Sequence, residues 1–275
     1  MGEDTKKFIH IRDVIRKKSP GLAKWIPNPL VSYLERTVHE DDINDIMFRF
    51  RDLKGLDFVD ALIHDLGVEV VLEGEENIPQ DDSVIFASNH PLGGLDGIAF
   101  MQAIGRVRRD VKFLVNDILM NVTNLEPLFV GVNKIGGQNK SAVSAIEEAY
   151  AADHALLVFP AGLVSRKIKG QIVDLEWKKS FISKAKKYKK DVIPVYIEGK
   201  NSNFFYNLSN WRNKLGIKFN IEMLYLVDEF FAQRNQRVTI HVGKRIPYTT
   251  FDNSRNEKQW AAEVKQLVYD LKTQK

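Results

Sequence analysis

Residues 88–97 hold the two side chains of this sequence that are best suited to acid–base chemistry. His90 ends an apolar run and Asp96 opens the next helical segment, with a proline and two glycines between them. A carboxylate that holds one imidazole nitrogen leaves the other nitrogen able to accept a hydroxyl proton. The pair therefore predicts a general base and its orienting acid. The alternative is a structural histidine beside an aspartate that only caps a helix.

The same residues give little support to covalent catalysis. The chain contains no cysteine, which excludes thiol nucleophiles, disulfides and thiolate metal sites. It has no serine motif of the nucleophile-elbow type, and Ser88 lies only two residues before His90, where it can share one face of a strand. Direct attack by a substrate hydroxyl that His90 activates therefore fits better than a covalent enzyme intermediate.

Two later segments also bring cations and glycines to the end of an apolar run. In residues 129–137 a strand leads into a glycine turn, where Lys134 is suited to bind a phosphate or a carboxylate. In residues 159–167 a strand ends in proline and glycine, and Arg166 and Lys167 follow. The alternatives are an ordinary surface lysine and a plain strand-to-loop turn.

The elements around these segments alternate between apolar strands and helices. Strands are predicted over residues 68–72, 83–87, 111–115, 129–132, 155–159, 192–197 and 237–242. Helices are predicted over residues 41–51, 56–66, 97–104, 141–152, 176–188 and 256–271. This alternation favours an α/β fold with a mostly buried sheet flanked by helices. In such sheets, ligands gather beyond the carboxyl ends of the strands, which is where the three segments fall.

The sequence before residue 67 reads differently and predicts an N-terminal helical segment over residues 1–66, followed by an α/β domain over residues 67–275. Apolar residues such as Phe8, Ile9 and Ile15 interleave there with lysines and arginines, and Trp25 follows. This pattern indicates a basic amphipathic helix that docks on a membrane surface. The alternative is that these apolar side chains pack on the α/β domain.

The net charge of +4 is unevenly placed. One basic cluster comprises Lys6, Lys7, Arg12, Arg16, Lys17 and Lys18, and the second comprises Lys178, Lys179, Lys184, Lys186, Lys187, Lys189 and Lys190. Such clusters attract an anionic lipid surface or nucleic acid, or they form a solvated helix face. No nucleic-acid recognition motif accompanies them. No apolar stretch reaches the ~20 residues of a spanning helix, and none resembles a secretory signal.

Four motifs in this order resemble those of the glycerophospholipid acyltransferase family, whose best-known members acylate lysophosphatidate. His90 and Asp96 resemble the first motif, and residues 132–134 resemble the second, a strand ending in a basic residue. Residues 159–162 resemble the third, and the proline-centred strand 192–195 resembles the fourth. The resemblance spans most of the chain, and each motif lies at or in a predicted strand.

The resemblance implies transfer of a fatty acyl group from a thioester to a lipid hydroxyl, with His90 as general base and Asp96 orienting it. The thioester would be that of acyl carrier protein or coenzyme A, with no metal and no further cofactor. Substrate-binding residues would be Asn89, Gly93, Gly94, Lys134, Phe159, Pro160, Gly162, Arg166 and Lys167. The family's membrane docking implies a peripheral protein on the cytoplasmic face of the inner membrane, with a lipid acceptor, an anionic membrane surface and no nucleic acid as partners.

The departures from the family pattern point to the acceptor. Five residues, not four, separate His90 from Asp96, and the double glycine is expected to absorb the extra one. In the third motif the family's glutamate is Ala161 and its arginine is Val164. Because those two family residues shape a phosphate site, we expect a lyso-amino-acid lipid, as in the hemolysin-like bacterial enzymes of ornithine and glycine lipids. The alternatives are a lysophosphatidate or lysophospholipid acyltransferase and a catalytically silent lipid-binding relative.

Overall fold

The computed structural model describes residues 8–18, 27–116, 120, 122–132 and 140–273. Lys134 and Trp25 lie outside these residues, as do Lys6 and Lys7 of the N-terminal basic cluster. Among the residues that are described, no helix is long and apolar enough to span a bilayer.

The secondary structure agrees closely with the predicted alternation. The helices are α1 (Ile11–Lys18), α2 (Asn28–Thr37), α3 (Glu40–Arg49), α4 (Gly55–Asp65), α5 (Gly94–Val107), α6 (Lys140–Ala151), α7 (Ser180–Tyr188), α8 (Asn203–Lys214), α9 (Leu226–Ala232) and α10 (Glu257–Asp270). The strands are β1 (Glu69–Glu73), β2 (Val84–Ser88), β3 (Val111–Asn116), β4 (Phe129–Val132), β5 (Ala155–Val158), β6 (Arg166–Ile168), β7 (Gln171–Val173), β8 (Asp191–Ile197) and β9 (Arg237–Val242). Helix α2, which lies within the N-terminal segment predicted to be helical, was not predicted at these residues, and helices α8 and α9 and the β6–β7 hairpin were not predicted at all.

The chain divides into two compact units. The larger comprises Leu53–Asn201 and Gln233–Lys275, and the smaller comprises Met1–Asp52 and Ser202–Ala232. The boundary predicted after residue 66 does not coincide with this division. Helix α4 belongs to the larger unit, and a second stretch of chain, with α8 and α9, joins the N-terminal helices in the smaller one.

The larger unit is built around a seven-stranded sheet in the order β1-β9-β8-β2-β5-β3-β4. Neighbouring strands are parallel except β8 and β9, which are antiparallel. Every residue of β2 and β5 is buried, as is every residue of β8 after Asp191, so these central strands are covered on both faces. The predicted α/β fold with a mostly buried sheet is confirmed.

Helix α5 follows β2 and is buried along most of its length. A Cβ atom on Gly105 would lie 2.7 Å from the Leu56 side chain, so glycine allows α4 and α5 to pack at close range. This packing fixes the helix whose first turn carries Asp96.

Part of the second basic cluster is bound within the protein. Lys184 and Lys187 of α7 both pair with Glu147 of α6, and Tyr188 also donates to this carboxylate. Hydrogen bonds from these three groups lower the pKa of Glu147 to about 2. This face of α7 therefore includes internal ion pairs as well as the predicted surface cations.

Candidate active site

His90 lies just beyond β2, at the edge of the sheet where the parallel strands β2, β5 and β8 end. The preceding residue, Asn89, joins this end to the end of β8. Its Nδ2 donates to the Ile197 carbonyl (2.9 Å), and its Oδ1 accepts from the Ile197 amide (2.7 Å). Because Asn89 is buried and bonded at both ends of its amide, it positions the end of β2 against the end of β8, and its contact with a substrate stays a prediction.

The turn after His90 accommodates the extra residue of the first motif. Gly93 has a φ of 83°, a conformation that glycine adopts readily, and Gly94 begins α5. Asp96 in the first helical turn consequently reaches back to His90, with 3.0 Å between Asp96 Oδ2 and His90 Nδ1. The two glycines thus have a backbone role here, and a substrate contact for them stays a prediction.

Asp96 is completely buried, and backbone donors compensate its charge. The Leu92 amide donates to Oδ2 (2.8 Å) and the Gly97 amide donates to Oδ1 (3.0 Å). The acid therefore bonds two backbone amides and the imidazole at once, whereas the N-cap position of α5 is Gly93 and not Asp96. Its position is fixed on three sides, which is what an orienting acid requires.

The imidazole of His90 packs against an aromatic side chain and is partly accessible to solvent. It stacks on Phe159 with ring centroids 4.1 Å apart and an interplanar angle of 16°. Phe159 in turn meets the ring of Phe113 edge-on at 5.2 Å. The His90 side chain is 17% exposed, whereas Asp96 is not exposed at all. With Nδ1 held by Asp96, Nε2 is the nitrogen that can meet a substrate.

Asp174 supports His90 from the other side and was not predicted. Its Oδ1 accepts from the His90 backbone amide (3.2 Å) and from Ser165 Oγ (2.5 Å), and its Oδ2 accepts from Trp177 Nε1 (2.8 Å). Ser165 also donates its amide to the His90 carbonyl (2.8 Å). Burial raises the pKa of Asp174, although these hydrogen bonds oppose the shift. The backbone of His90 is thus clamped by the two ends of the β6–β7 hairpin.

The remaining third-motif residues form the turn that leads into this hairpin. The Gly162 amide donates to the Phe159 carbonyl (2.9 Å), and the Pro160 carbonyl accepts from the Lys178 amide (3.0 Å). Contact of Pro160 and Gly162 with a substrate stays a prediction. Ala161 and Val164, at the positions of the family's glutamate and arginine, are both buried.

Two of the three predicted cations, Arg166 and Lys167, lie within the described residues. Arg166 is buried, and its Nη1 donates to the Val164 carbonyl (2.7 Å). Lys167 is half-buried in β6, and Lys134 lies outside the described residues. Contact of Arg166 and Lys167 with a substrate stays a prediction. The structure brings together His90, Asp96 and Phe159.

Replacing Asn89 with alanine is expected to lower the free energy of unfolding by about 2–4 kcal/mol, because the Ile197 amide and carbonyl lose their partners in a buried place. KM for the acceptor is expected to change little. Urea unfolding and steady-state kinetics measure the two effects separately. A raised KM with unchanged stability would show instead that Asn89 binds substrate.

The fold has a counterpart among solved structures. It aligns with the 1-acyl-sn-glycerophosphate acyltransferase of Thermotoga maritima with a TM-score of 0.52, covering 88% of this chain and 96% of that one. The two sequences are 20% identical, so the match defines the fold alone. The mostly parallel sheet that carries the histidine–aspartate pair at its carboxyl edge therefore has the fold of a solved acyltransferase.

The sequence comparisons then give the family. A family model described as Acyltransferase matches residues 13–274. A protein of Bacteroides thetaiotaomicron named lyso-glycine lipid O-acyltransferase is 46% identical over 272 residues, 98% of this chain and 100% of the relative. A protein of the same name from Phocaeicola vulgatus is 43% identical and covers 98% of each chain. The chain belongs to the acyltransferase family, and it is an O-acyltransferase.

Proposed function

We propose that this enzyme transfers a fatty acyl group from a thioester to the hydroxyl of a lyso-glycine lipid, with His90 as the general base. The observation that carries the proposal is the identity of 46% and 43% with two relatives of that name, over nearly the whole chain. The contact between His90 and Asp96 supplies the matching chemistry.

The third motif supports an acceptor without a phosphate. Ala161 and Val164 are buried and apolar where a phosphate-binding member of the family has a glutamate and an arginine. The nearby Arg166 is buried as well. A lyso-glycine lipid presents one carboxylate and a hydroxyl on its fatty chain, so it requires less positive charge than lysophosphatidate does.

In the proposed reaction the acceptor hydroxyl lies against Nε2 of His90. The imidazole takes the hydroxyl proton while the oxygen attacks the thioester carbonyl carbon, and a tetrahedral intermediate forms. Its collapse breaks the carbon–sulfur bond, and the imidazolium returns the proton to the departing thiolate. The products are the ester and a free thiol. Asp96 keeps the Nδ1 proton in place and stabilises the imidazolium, which is the contribution of an orienting carboxylate.

The acyl donor in this proposal is a thioester of acyl carrier protein or of coenzyme A, and no further cofactor takes part. The acceptor is a membrane lipid, so we place the enzyme at an anionic membrane surface as a peripheral protein on the cytoplasmic face of the inner membrane. The basic residues of the N-terminal helices and of α7 are suited to that surface.

The test offers the purified enzyme a labelled fatty acyl group, once as the thioester of acyl carrier protein and once as the thioester of coenzyme A. Acceptors are an N-(3-hydroxyacyl)glycine and lysophosphatidate, with an N-acylglycine that lacks the hydroxyl as the control. We expect the hydroxylated glycine lipid to be the preferred acceptor, with kcat/KM at least about 100-fold above that for lysophosphatidate, and no product from the N-acylglycine. A preference for lysophosphatidate would refute the proposed acceptor and show that Lys134 or Lys167 builds a phosphate site.

A further inference from the structure

The smaller unit exposes large apolar side chains on α8 and on the residues that follow it. Trp211 is 70% exposed, Leu215 is 68% exposed and Phe219 is 69% exposed. Phe204 at the start of the helix and Ile217 beyond its end are exposed as well. Side chains of this size are rarely so accessible together on a soluble surface, so they indicate a binding surface.

The exposed apolar residues follow the helical repeat. Phe204, Trp211 and Leu215 are separated by seven and four residues, which places them in one stripe along α8, with the half-buried Leu208 between the first two. Phe205 and Ser209 lie on a different face of the helix and are buried. Helix α8 thus carries apolar side chains on a buried face and again on an exposed face.

Polar contacts hold the inner face of α8 firmly in place. Ser202 Oγ accepts from the Phe205 amide at the start of the helix (3.1 Å). Arg212 near its end pairs with the fully buried Glu222 at 2.8 Å. Because the helix is anchored at both ends, the exposure of the apolar stripe belongs to the folded helix and does not result from fraying of its ends.

The charge around the stripe identifies what it binds. Residues 199–221 contain no aspartate or glutamate, and they include Lys200, Arg212, Lys214 and Lys218. Lys214 and Lys218 are exposed on either side of Leu215. Bulky aromatic and aliphatic side chains flanked by lysines suit the boundary between anionic headgroups and acyl chains, where tryptophan is favoured.

We propose that the surface formed by Phe204, Trp211, Leu215 and Phe219 inserts into the headgroup region of an anionic bilayer. The lysines at positions 214 and 218 contact the lipid headgroups. The choice of a bilayer as the partner rests in part on the proposed function, since that acceptor is a membrane lipid. This surface lies outside the N-terminal segment from which the sequence predicted membrane docking.

The full-length enzyme is tested on vesicles of phosphatidylethanolamine and phosphatidylglycerol. The triple variant Trp211→Ser, Leu215→Ser, Phe219→Ser is expected to partition into the vesicles about 100-fold less than the wild type, since three large apolar side chains lose their burial. A matched pair, Leu215→Ser and Leu267→Ser, removes the same side chain from the surface and from α10. Only Leu215→Ser is expected to weaken sedimentation with the vesicles.

A second measurement needs no disruptive substitution. In a chain that carries Trp25→Phe, the remaining tryptophans are the buried Trp177 and Trp260 and the exposed Trp211. We expect vesicles to shift the emission to the blue and brominated lipids to quench it, and Trp211→Phe to remove both effects. An emission spectrum that vesicles do not change would overturn the proposal. A triple variant that binds vesicles like the wild type would also overturn it. So would a triple variant whose only change is that a dimer becomes a monomer.

The membrane surface and the proposed function can fail independently of each other. Acyl transfer to a short-chain, water-dispersed N-(3-hydroxyacyl)glycine is expected to be the same in the triple variant and in the wild type. If the wild type binds vesicles through Trp211 and yet acylates no glycine lipid, the proposed function fails and the membrane surface stands. If it acylates the lipid and the triple variant binds vesicles normally, the membrane surface fails alone.

Discussion

Replacing His90 with alanine is expected to lower kcat/KM for acyl transfer by about 10³-fold or more, because no other group in contact with Asp96 can accept the hydroxyl proton. The fold should remain, since Asp96 keeps two backbone donors and the backbone of residue 90 keeps its bonds to Asp174 and Ser165. The rate is measured with a radiolabelled thioester, and the fold by circular dichroism and urea unfolding.

His64→Ala is the matched control, because His64 is an exposed histidine near the end of α4 in the same unit. This variant is expected to transfer acyl groups at the wild-type rate. A folded His90→Ala enzyme with a wild-type rate would instead show that His90 takes no part in the chemistry. The role of His90 would then be to stack on Phe159.

Much of the larger unit could be predicted from its apolar runs. Strands such as β2 and β5 are covered on both faces, so their sequences are continuously apolar and easily recognised. The antiparallel direction of β9 could not be predicted, because neither apolar content nor length records the direction of a strand. The contact between His90 and Asp96 was predictable because both lie on one short turn after a strand.

Asp174 shows why part of the site could not be predicted. It lies 84 residues from His90 in sequence and reaches the His90 amide only because the β6–β7 hairpin folds back over the edge of the sheet. Those strands have three residues each, too few for a periodic pattern. The only available signal was an acid three residues before a tryptophan, and such a pair is common on any helix or loop.

In the smaller unit, helix α8 could not be predicted for a different reason. Helix α8 carries apolar residues on two faces, so its sequence does not show one apolar stripe against a polar background. A single-sequence interpretation assumes that apolar residues are buried, and it cannot separate those that pack inside from those that are displayed. Burial assigns Phe205 to the interior and Phe204, its neighbour in sequence, to the surface.

Two acids contact His90, and replacing each by asparagine tests which one serves catalysis. Asp96 bonds the imidazole Nδ1, whereas Asp174 bonds the backbone amide of the same residue. In Asp96→Asn the side-chain amide can donate to Nδ1, which moves the ring proton to Nε2 and leaves no nitrogen to accept the hydroxyl proton. We expect a fall in kcat of about 10³–10⁴-fold with a largely unchanged KM, as for other enzymes whose histidine is held in the wrong tautomer.

Asp174→Asn is expected to act on stability instead. The asparagine has one acceptor oxygen for donors that now come from His90, Ser165 and Trp177, so at least one buried hydrogen bond is lost. The free energy of unfolding should fall by about 2 kcal/mol while kcat stays within about tenfold. The opposite result, a large loss of kcat in Asp174→Asn and a small one in Asp96→Asn, would mean that the five-residue spacing has displaced Asp96 from its catalytic role. Asp174 would then be the acid on which the reaction depends.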